Sequence, residues 1–445
     1  MSKLAINGGK SIREEFFPSQ FDFRDTAEEY LEPITEILDS NILSAYRGNH
    51  TPNFWGGKYV KKLEKEFEKY IDSDVQALAV NSCTSGLYIA CGAIGLKPGD
   101  EVIVTPWSMT CSATVPLAYG AIPVFCDIEP ETYCIDPYKI SKLITPRTKA
   151  IIVVDLFGFV PNYDLIREIA EIHNLYIIED AAQALGASRN NINAGAFGDI
   201  ACFSFTQGKH ITCGEGGMIV ARDQRLFERC SMIRNHAESV CNDMSPELQP
   251  LFSDCLGLNF RMTEIQAAIA SVQLENFNKS LERRKRITYA LQKKLSMIPC
   301  LKFKVPEGGV WSYYVLPFLY NTELGSVTRD KFLTAVRAEL KEEADRLDRG
   351  VPIGGGYIKP LYLFPIFQRQ QHWAFSNYEY NNLDEYGFPQ VYEEGLCPVC
   401  EKLWKEDFCL TLYNGLKLLN KDVEDIYQAF LKVWENTGEL EEWKE

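Results

Sequence analysis

From about residue 75 onward, short apolar runs alternate with longer segments of helical character. Val75–Val80, Glu101–Thr105, Ala121–Cys126, Ala150–Val154 and Leu175–Ile178 are brief and almost wholly apolar. That pattern marks strands buried on both faces rather than strands with one wet face. Helices are expected between them over Leu87–Leu96, Ser108–Tyr119 and Pro161–His173, the last opened by Pro161 and Asp164. Such alternation predicts an α/β fold with a mostly parallel sheet covered on both faces. Upstream, Val60, Leu63, Phe67 and Tyr70 recur at helical spacing within Lys58–Tyr70, and the acidic segment Asp25–Asp39 suits one helix. Downstream, the pattern predicts a long helix over Ile265–Leu295, a strand at Trp311–Leu316 and an amphipathic helix over Arg329–Ala344. A loop-rich aromatic stretch (Arg349–Pro398) follows, then a closing helix over Asp422–Trp434 with Val423, Ile426 and Phe430 on one face. These shifts divide the chain into an N-terminal arm (1–45), a large domain (46–275) and a smaller α+β domain (276–445).

Composition narrows the class. A length of 445 residues suits two domains, and 46% hydrophobic with 24% charged residues is ordinary for a globular chain. A net charge of −15 argues against nucleic-acid and anionic-membrane partners. No apolar run is long enough for a membrane span, and the first ten residues hold no export signal. The fourteen cysteines are scattered through apolar strands and helical runs, which reads as reduced thiols in a cytoplasmic protein. Cys397 and Cys400 form the single CxxC, without the second pair that a zinc site needs, so no metal is expected. Gly9-Lys10-Ser11 resembles the end of a phosphate loop, but Leu4 stands where the earlier glycine belongs.

Candidate chemistry gathers at one sheet edge. In open α/β sheets ligands bind beyond the carboxyl ends of the strands, here Thr105–Trp107, Asp155, Asp180 and the segment after Phe205. Lys209 is isolated in a small-residue loop between two apolar runs, ahead of the glycine cluster Gly214–Gly217. It is either a surface-loop lysine or an amine set up for Schiff-base chemistry. Asn81–Ser85 precedes a helix, where hydroxyls and free N–H groups cap the helix or hold a phosphate. Trp107 is either a stacking platform or a core aromatic, and Asp180 ends an apolar strand where a carboxylate needs a partner. With Ser204 five residues before Lys209, the set matches what pyridoxal phosphate requires: a phosphate cradle, an aromatic plate, a carboxylate for the ring nitrogen and a lysine.

The chain resembles the DegT/DnrJ/EryC1/StrS family of pyridoxal-phosphate-dependent sugar aminotransferases. The resemblance rests on Asn81–Leu87, Gly120–Asp127, Ile178–Gly186, Phe203–Phe205 with Lys209, Gly214–Gly217 and Asn259–Ala268, in family order. It implies the fold-type I, aspartate aminotransferase-like architecture. It also implies that Thr84, Ser85 and Ser204 bind the cofactor phosphate and that Trp107 stacks on the ring. Asp180 would pair with the pyridine nitrogen, Gln183 would face the ring oxygen, and Lys209 would form the Schiff base. Asn259 would reach the phosphate of a neighbouring subunit, implying a homodimer. Asp155, Thr132–Asp136 and Thr212–Gly217 are more like the branch that aminates keto-cyclitols such as scyllo-inosose. Glutamine or glutamate would be the donor, with nucleotide-linked keto-sugars as the alternative acceptors and the 350–400 region setting acceptor choice. Tyr46, Arg47, His50, Trp55, Tyr313, Tyr357 and His372 are candidates for the acceptor pocket or plain structural groups. Relatives that are dehydratases carry histidine in place of the lysine, and Lys209 separates this chain from them. A nicotinamide dehydrogenase is disfavoured because no GxGxxG follows the first strand.

Overall fold

A computed structural model describes residues 3–20, 23, 27–49, 51–72, 74–341, 353–376, 392–441 and 443. Its centre is a seven-stranded sheet built from β1 (Gln76–Val80), β2 (Glu101–Val104), β3 (Ile122–Phe125), β4 (Thr148–Val154), β5 (Tyr176–Asp180), β6 (Ile200–Ser204) and β7 (Gly217–Ala221). The spatial order is β1-β7-β6-β5-β4-β2-β3. Strands β6, β5, β4, β2 and β3 are parallel, while β7 runs antiparallel to both its neighbours. A parallel connection needs a crossover of a dozen or more residues, usually helical. The compact 205–216 loop allows β7 only to turn back, and this reversal places Lys209 at the carboxyl end of β6.

Helices α1 (Ala27–Ser40), α2 (Lys58–Ile71), α3 (Cys83–Ala93), α4 (Cys111–Ala118), α5 (Tyr163–His173) and α6 (Gln224–Arg234) accompany the sheet. Helix α3 begins four residues before the expected Leu87, because Ser82 caps it: its Oγ accepts from Ser85 N at 3.0 Å. The long helix expected over Ile265–Leu295 is two helices, α7 (Glu264–Glu275) and α8 (Phe277–Leu295), parted at Asn276. A capping box between Thr263 and Gln266 opens α7.

The second sheet is antiparallel, with β8 (Leu301–Lys302), β9 (Leu316–Tyr320), β10 (Ile353–Gly355) and β11 (Phe408–Thr411) in the order β8-β9-β11-β10. Helices α9 (Arg329–Glu339) and α10 (Asn420–Glu435) join its core. The strand expected at Trp311–Leu316 starts only at Leu316. Residues 311–315 are apolar because they pack on the loop after β4, where Ser312 N donates to Gly158 O and Tyr314 N to Phe157 O. Tyr313, at φ 48°, also breaks an extended path. The helix expected to reach Ala344 stops at Glu339, where Leu340 turns extended (φ −118°, ψ 133°), and 342–350 with part of the aromatic stretch lie outside the described residues.

Two apolar cores meet along α8, whose Phe277 and Leu281 enter the first while Ile287, Leu291 and Leu295 enter the second. Chain order and packing diverge elsewhere too. Leu4 and Phe17 of the N-terminal arm belong to the second core, tied there by Arg13 to Asp422 (2.8 Å) and Asp425 (2.6 Å). Tyr362, Phe367 and Tyr392 instead surround Phe125 in the first core. Among the described residues no helix is long and apolar enough to cross a membrane.

One buried ion pair joins the outer layer to the sheet edge. Arg234, at 0% exposure, donates to Glu64 Oε1 (2.9 Å) and Ala79 O (3.1 Å), and Glu64 accepts from Ala79 N. Burial pushes the Glu64 carboxyl up, and the Arg234 charge holds it down. Arg234→Leu leaves that carboxyl without its cation and is expected to cost about 3–5 kcal/mol, read as a fall in the urea midpoint.

Candidate active site

Beyond the carboxyl ends of β5 and β6 lies a cavity of about 890 Å³, walled by the α3 turn, the Lys209 loop and residues of the second sheet and α9. Thr84, Asp180, Gln183, Ser204 and Lys209 all stand on its wall. Lys209 is half-buried, with Nζ 4.4 Å above the centre of the Tyr314 ring. Its backbone is held from both sides: its N–H donates to Thr206 O, and its carbonyl accepts from Gln20 Nε2 at 2.8 Å.

Asp180 ends β5 and is almost fully buried. Its Oδ2 accepts from Ser112 Oγ at 2.7 Å, and its Oδ1 accepts from Ala182 N at 3.2 Å and from Cys83 Sγ at 3.9 Å. All three donors are neutral. Burial pushes the Asp180 carboxyl above the usual range, opposed by the Ser112 and Ala182 hydrogen bonds and then by the Lys209 charge. Gln183 is fixed at both ends: Oε1 accepts from Phe157 N (2.9 Å), and Nε2 donates to Tyr357 OH (3.2 Å).

Three expected residues lie off this wall. Trp107 is a core aromatic rather than a plate over the cavity. Its Nε1–H donates to Ile358 O at 2.6 Å, and its ring meets Tyr133, Phe157, Tyr357 and Phe408 edge-on. An indole whose N–H is satisfied inside an aromatic cluster gains more from that burial than from facing a cavity. Met109 and Cys111 take the wall position instead. Ser85 is buried behind the turn, donating to Asn81 Oδ1 at 2.6 Å. Asn259 is exposed, outside this wall, with Oδ1 accepting from Arg261 Nε at 2.8 Å.

Of the acceptor-pocket candidates, Tyr357 lines the cavity. Tyr46 and Tyr313 are buried elsewhere, Trp55 stacks on Phe227, Arg47 and His372 are off the wall, and His50 lies outside the described residues. The cavity also takes in Cys83 and Glu215, which lie in the motifs read from sequence, and Tyr314, Asp330 and Arg337, which do not. Asp330 and Arg337 sit on α9, more than a hundred residues from Lys209, and no local pattern marks them.

The wall suits pyridoxal phosphate. A carboxyl buried among neutral donors is the partner a protonated ring nitrogen needs. Thr84 is exposed to the cavity at the N-terminal turn of α3, beside Ser204, where an anion is favoured. Gly217 keeps β7 close to that turn, since a Cβ there would come within 2.7 Å of Cys83 N and Phe203 O.

The model of the DegT/DnrJ/EryC1/StrS aminotransferase family matches residues 39–374. The chain belongs to that family. Its architecture is the fold-type I transferase one, and members of the family use pyridoxal phosphate. Among relatives, GDP-perosamine synthase of Caulobacter vibrioides is 39% identical over 280 residues, covering 62% of this chain and 73% of that protein. A putative L-glutamine:3-amino-2,3-dideoxy-scyllo-inosose aminotransferase of Streptoalloteichus tenebrarius is 30% identical over 444 residues, covering 99% of both chains. The crystal structure of S. venezuelae DesV, solved with a ketimine intermediate, superposes with a TM-score of 0.75 at 26% identity, covering 95% of this chain and 100% of that one.

Behind this site lies a carboxyl pair that meets no cation among the described residues. Asp155 Oδ1 accepts from Tyr163 OH at 2.9 Å, while its Oδ2 has no hydrogen-bond partner among the described residues. Glu179 accepts from the backbone N–H groups of Gly195, Phe197 and Gly198. Burial, and then the Glu179 charge, push Asp155 well above the carboxylate range. A carboxyl whose folded pKa exceeds its unfolded value of about 3.9 loses stability for the fold as pH rises from there towards the folded pKa. Asp155→Asn mimics the protonated acid and carries no such penalty. Its thermal midpoint is expected to rise relative to wild type between pH 5 and pH 8, and a constant difference would contradict the assignment.

Proposed function

We propose that this protein is a pyridoxal-phosphate-dependent aminotransferase that moves an amino group from glutamine or glutamate to the ketone of a keto-cyclitol resembling scyllo-inosose. The observation that carries the reading is the meeting of Lys209, Asp180, Gln183, Thr84 and Ser204 on one cavity wall at the carboxyl edge of the sheet. The cyclitol preference is supported by the full-length match to the scyllo-inosose aminotransferase relative. A nucleotide-linked keto-sugar is the second reading, favoured by the higher identity to GDP-perosamine synthase over a shorter span.

Each residue has a distinct task. The cofactor supplies an electron sink that makes the donor Cα proton acidic. Lys209 Nζ takes that proton and returns one to the acceptor carbon in the second half-reaction. Asp180 holds a proton on the ring nitrogen, a role its isolation from bulk water strengthens. Thr84, the Asn81–Ser85 turn and Ser204 grip the phosphate, and Gln183, clamped by Phe157 and Tyr357, faces the ring oxygen. Asn259, exposed and outside its own chain's cavity, serves the phosphate of a partner in a homodimer.

Purified protein with added pyridoxal phosphate is expected to be yellow and to bleach on adding glutamine or glutamate. Lys209→Ala should form no such chromophore and lose at least about 1,000-fold in amino transfer, while its circular dichroism stays that of wild type. Wild-type protein that cannot bind added cofactor would overturn the reading. Product analysis with scyllo-inosose and with a nucleotide-linked 4-keto sugar separates the acceptor classes. Asp180→Asn, which keeps the shape but not the charge, is expected to bind cofactor yet lower kcat about 100-fold or more, in single-turnover absorbance traces.

A further inference from the structure

The N-terminal arm is fastened to the second core along its length and reaches the Lys209 loop at Gln20. Ala5 N donates to Glu339 Oε1 (2.8 Å), Arg13 N to Glu339 O (3.0 Å) and Lys432 Nζ to Lys10 O (2.7 Å). Phe17 is buried in that core, its ring 4.7 Å from the Tyr413 ring and 4.1 Å from the Arg13 guanidinium. Lys417 N then donates to Ser19 O at 3.4 Å. One residue further, Gln20 Nε2 donates to the carbonyl of Lys209 at 2.8 Å.

The 205–216 loop has hydrogen bonds of its own, from Lys209 N to Thr206 O, Gln207 N to Gly214 O and Cys213 N to Phe205 O. Gln273 of α7 and the carbonyl of Ser312 hold it at Thr212 and His210. Among the described residues, Gln20 supplies the one hydrogen bond that reaches the Lys209 backbone from outside the loop. Gly208, directly before the lysine, sits at φ 90° with nothing within 4 Å of where a Cβ would stand, so it lends that backbone little stiffness.

Two contacts therefore set where the ammonium stands. Gln20 holds the base of the lysine, and the Tyr314 ring lies 4.4 Å from Nζ at its tip. Both are placed from the side of the second core, Gln20 through the arm and Tyr314 through Arg284 of α8, which binds its carbonyl. Asp180, Thr84 and Ser204 belong to the large sheet and the start of α3 instead. The position of Nζ relative to them thus follows the seating of the arm as well as the turn of the loop. Misplacing a reacting group by about 1 Å costs about 100-fold in rate. Glutamine suits this place, because its amide donates without adding charge beside the ammonium, whereas an ionised glutamate has no proton to donate.

We propose that Gln20 is a positioning residue for Lys209, 189 residues away in sequence, and that the N-terminal arm is the strap that carries it. Its effect on rate rests on Lys209 being the proton carrier of the proposed amino transfer; its hold on the loop does not.

Gln20→Ala and Gln20→Glu test this with two readouts. The first uses the protein without cofactor. Amide hydrogen exchange over 206–213 should be about threefold or more faster than in wild type, with exchange in β5 and β6 unchanged. Phe17→Leu, which loosens the seat of the arm but keeps the amide, should speed loop exchange in the same direction. The second uses pyridoxal-phosphate-loaded protein. Both Gln20 variants should turn yellow but bleach about tenfold or more slowly with glutamine or glutamate. The donor concentration giving half the maximal rate should stay that of wild type. The rate ratio between donor carrying hydrogen and donor carrying deuterium at Cα should increase, because proton transfer by Lys209 becomes limiting. Wild-type protein that never bleaches overturns the amino-transfer reading and leaves the exchange comparison readable. Loop exchange indifferent to the Gln20 or Phe17 changes, an unchanged isotope ratio, or slower bleaching explained by a raised half-saturating donor concentration overturns the proposal.

Discussion

The burial of one carboxyl, Asp180, at the carboxyl end of β5 constrains everything around it. A carboxylate removed from water must be met by donors or opposite charge, and here the chain supplies only neutral donors: a hydroxyl, an N–H and a thiol. Ser112 comes from α4, Ala182 from the turn after β5 and Cys83 from the first residue of α3. The position of Asp180 therefore ties together three segments that the sheet would otherwise leave independent. Among the described residues Asp180 makes no ion pair, although the Lys209 charge acts on it, and the proposed function pairs it with a protonated ring nitrogen.

The reversal between β6 and β7 is the second constraint. Because β7 returns antiparallel, the 205–216 loop stays at the carboxyl edge and cannot cross the sheet as the helical connections do. Lys209 is held in that loop by bonds at its N–H and carbonyl, with Tyr314 of the other sheet's lead-in beneath its ammonium. Arg284 binds the carbonyls of Tyr313 and Tyr314 from α8. The wall opposite the large sheet is thus positioned by a helix that enters both cores, so its placement follows the packing of one core on the other.

Polar groups near the site are treated in two ways. Glu179 and Gln183 have their hydrogen-bonding capacity met by backbone and Tyr357. His210 and Gln273 do not, at Nδ1 and Nε2. They are two of eleven buried side-chain atoms without a hydrogen-bond partner among the described residues.

How much of this was legible before folding depended on the range of the interaction. The parallel strands showed in local periodicity, because a strand buried on both faces is apolar throughout wherever it sits. That Lys209, Asp180, Thr84, Gln183 and Ser204 share one cavity wall could be expected from sequence, because all five stand at or just beyond strand ends or at a helix start on the sheet's carboxyl edge, in an ordered set of motifs. Trp107 was misplaced: its distance from β2 in sequence is right for a cavity residue, but Ile358 and Phe408 draw the indole into the core. The split of the long helix at Asn276 and the late start of β9 likewise depended on neighbours, since helical and apolar patterns continue through both points. Asp330 and Arg337 carried no signal, being ordinary helix-surface residues until the second core sets α9 over the cavity. The sequence by itself determined the strands of the parallel sheet, the helices between them and which residues gather at the sheet's carboxyl edge, because period and motif are local. Tertiary packing alone decided which aromatic faces the cavity and which distant helix closes it, because those depend on contacts between segments far apart in the chain.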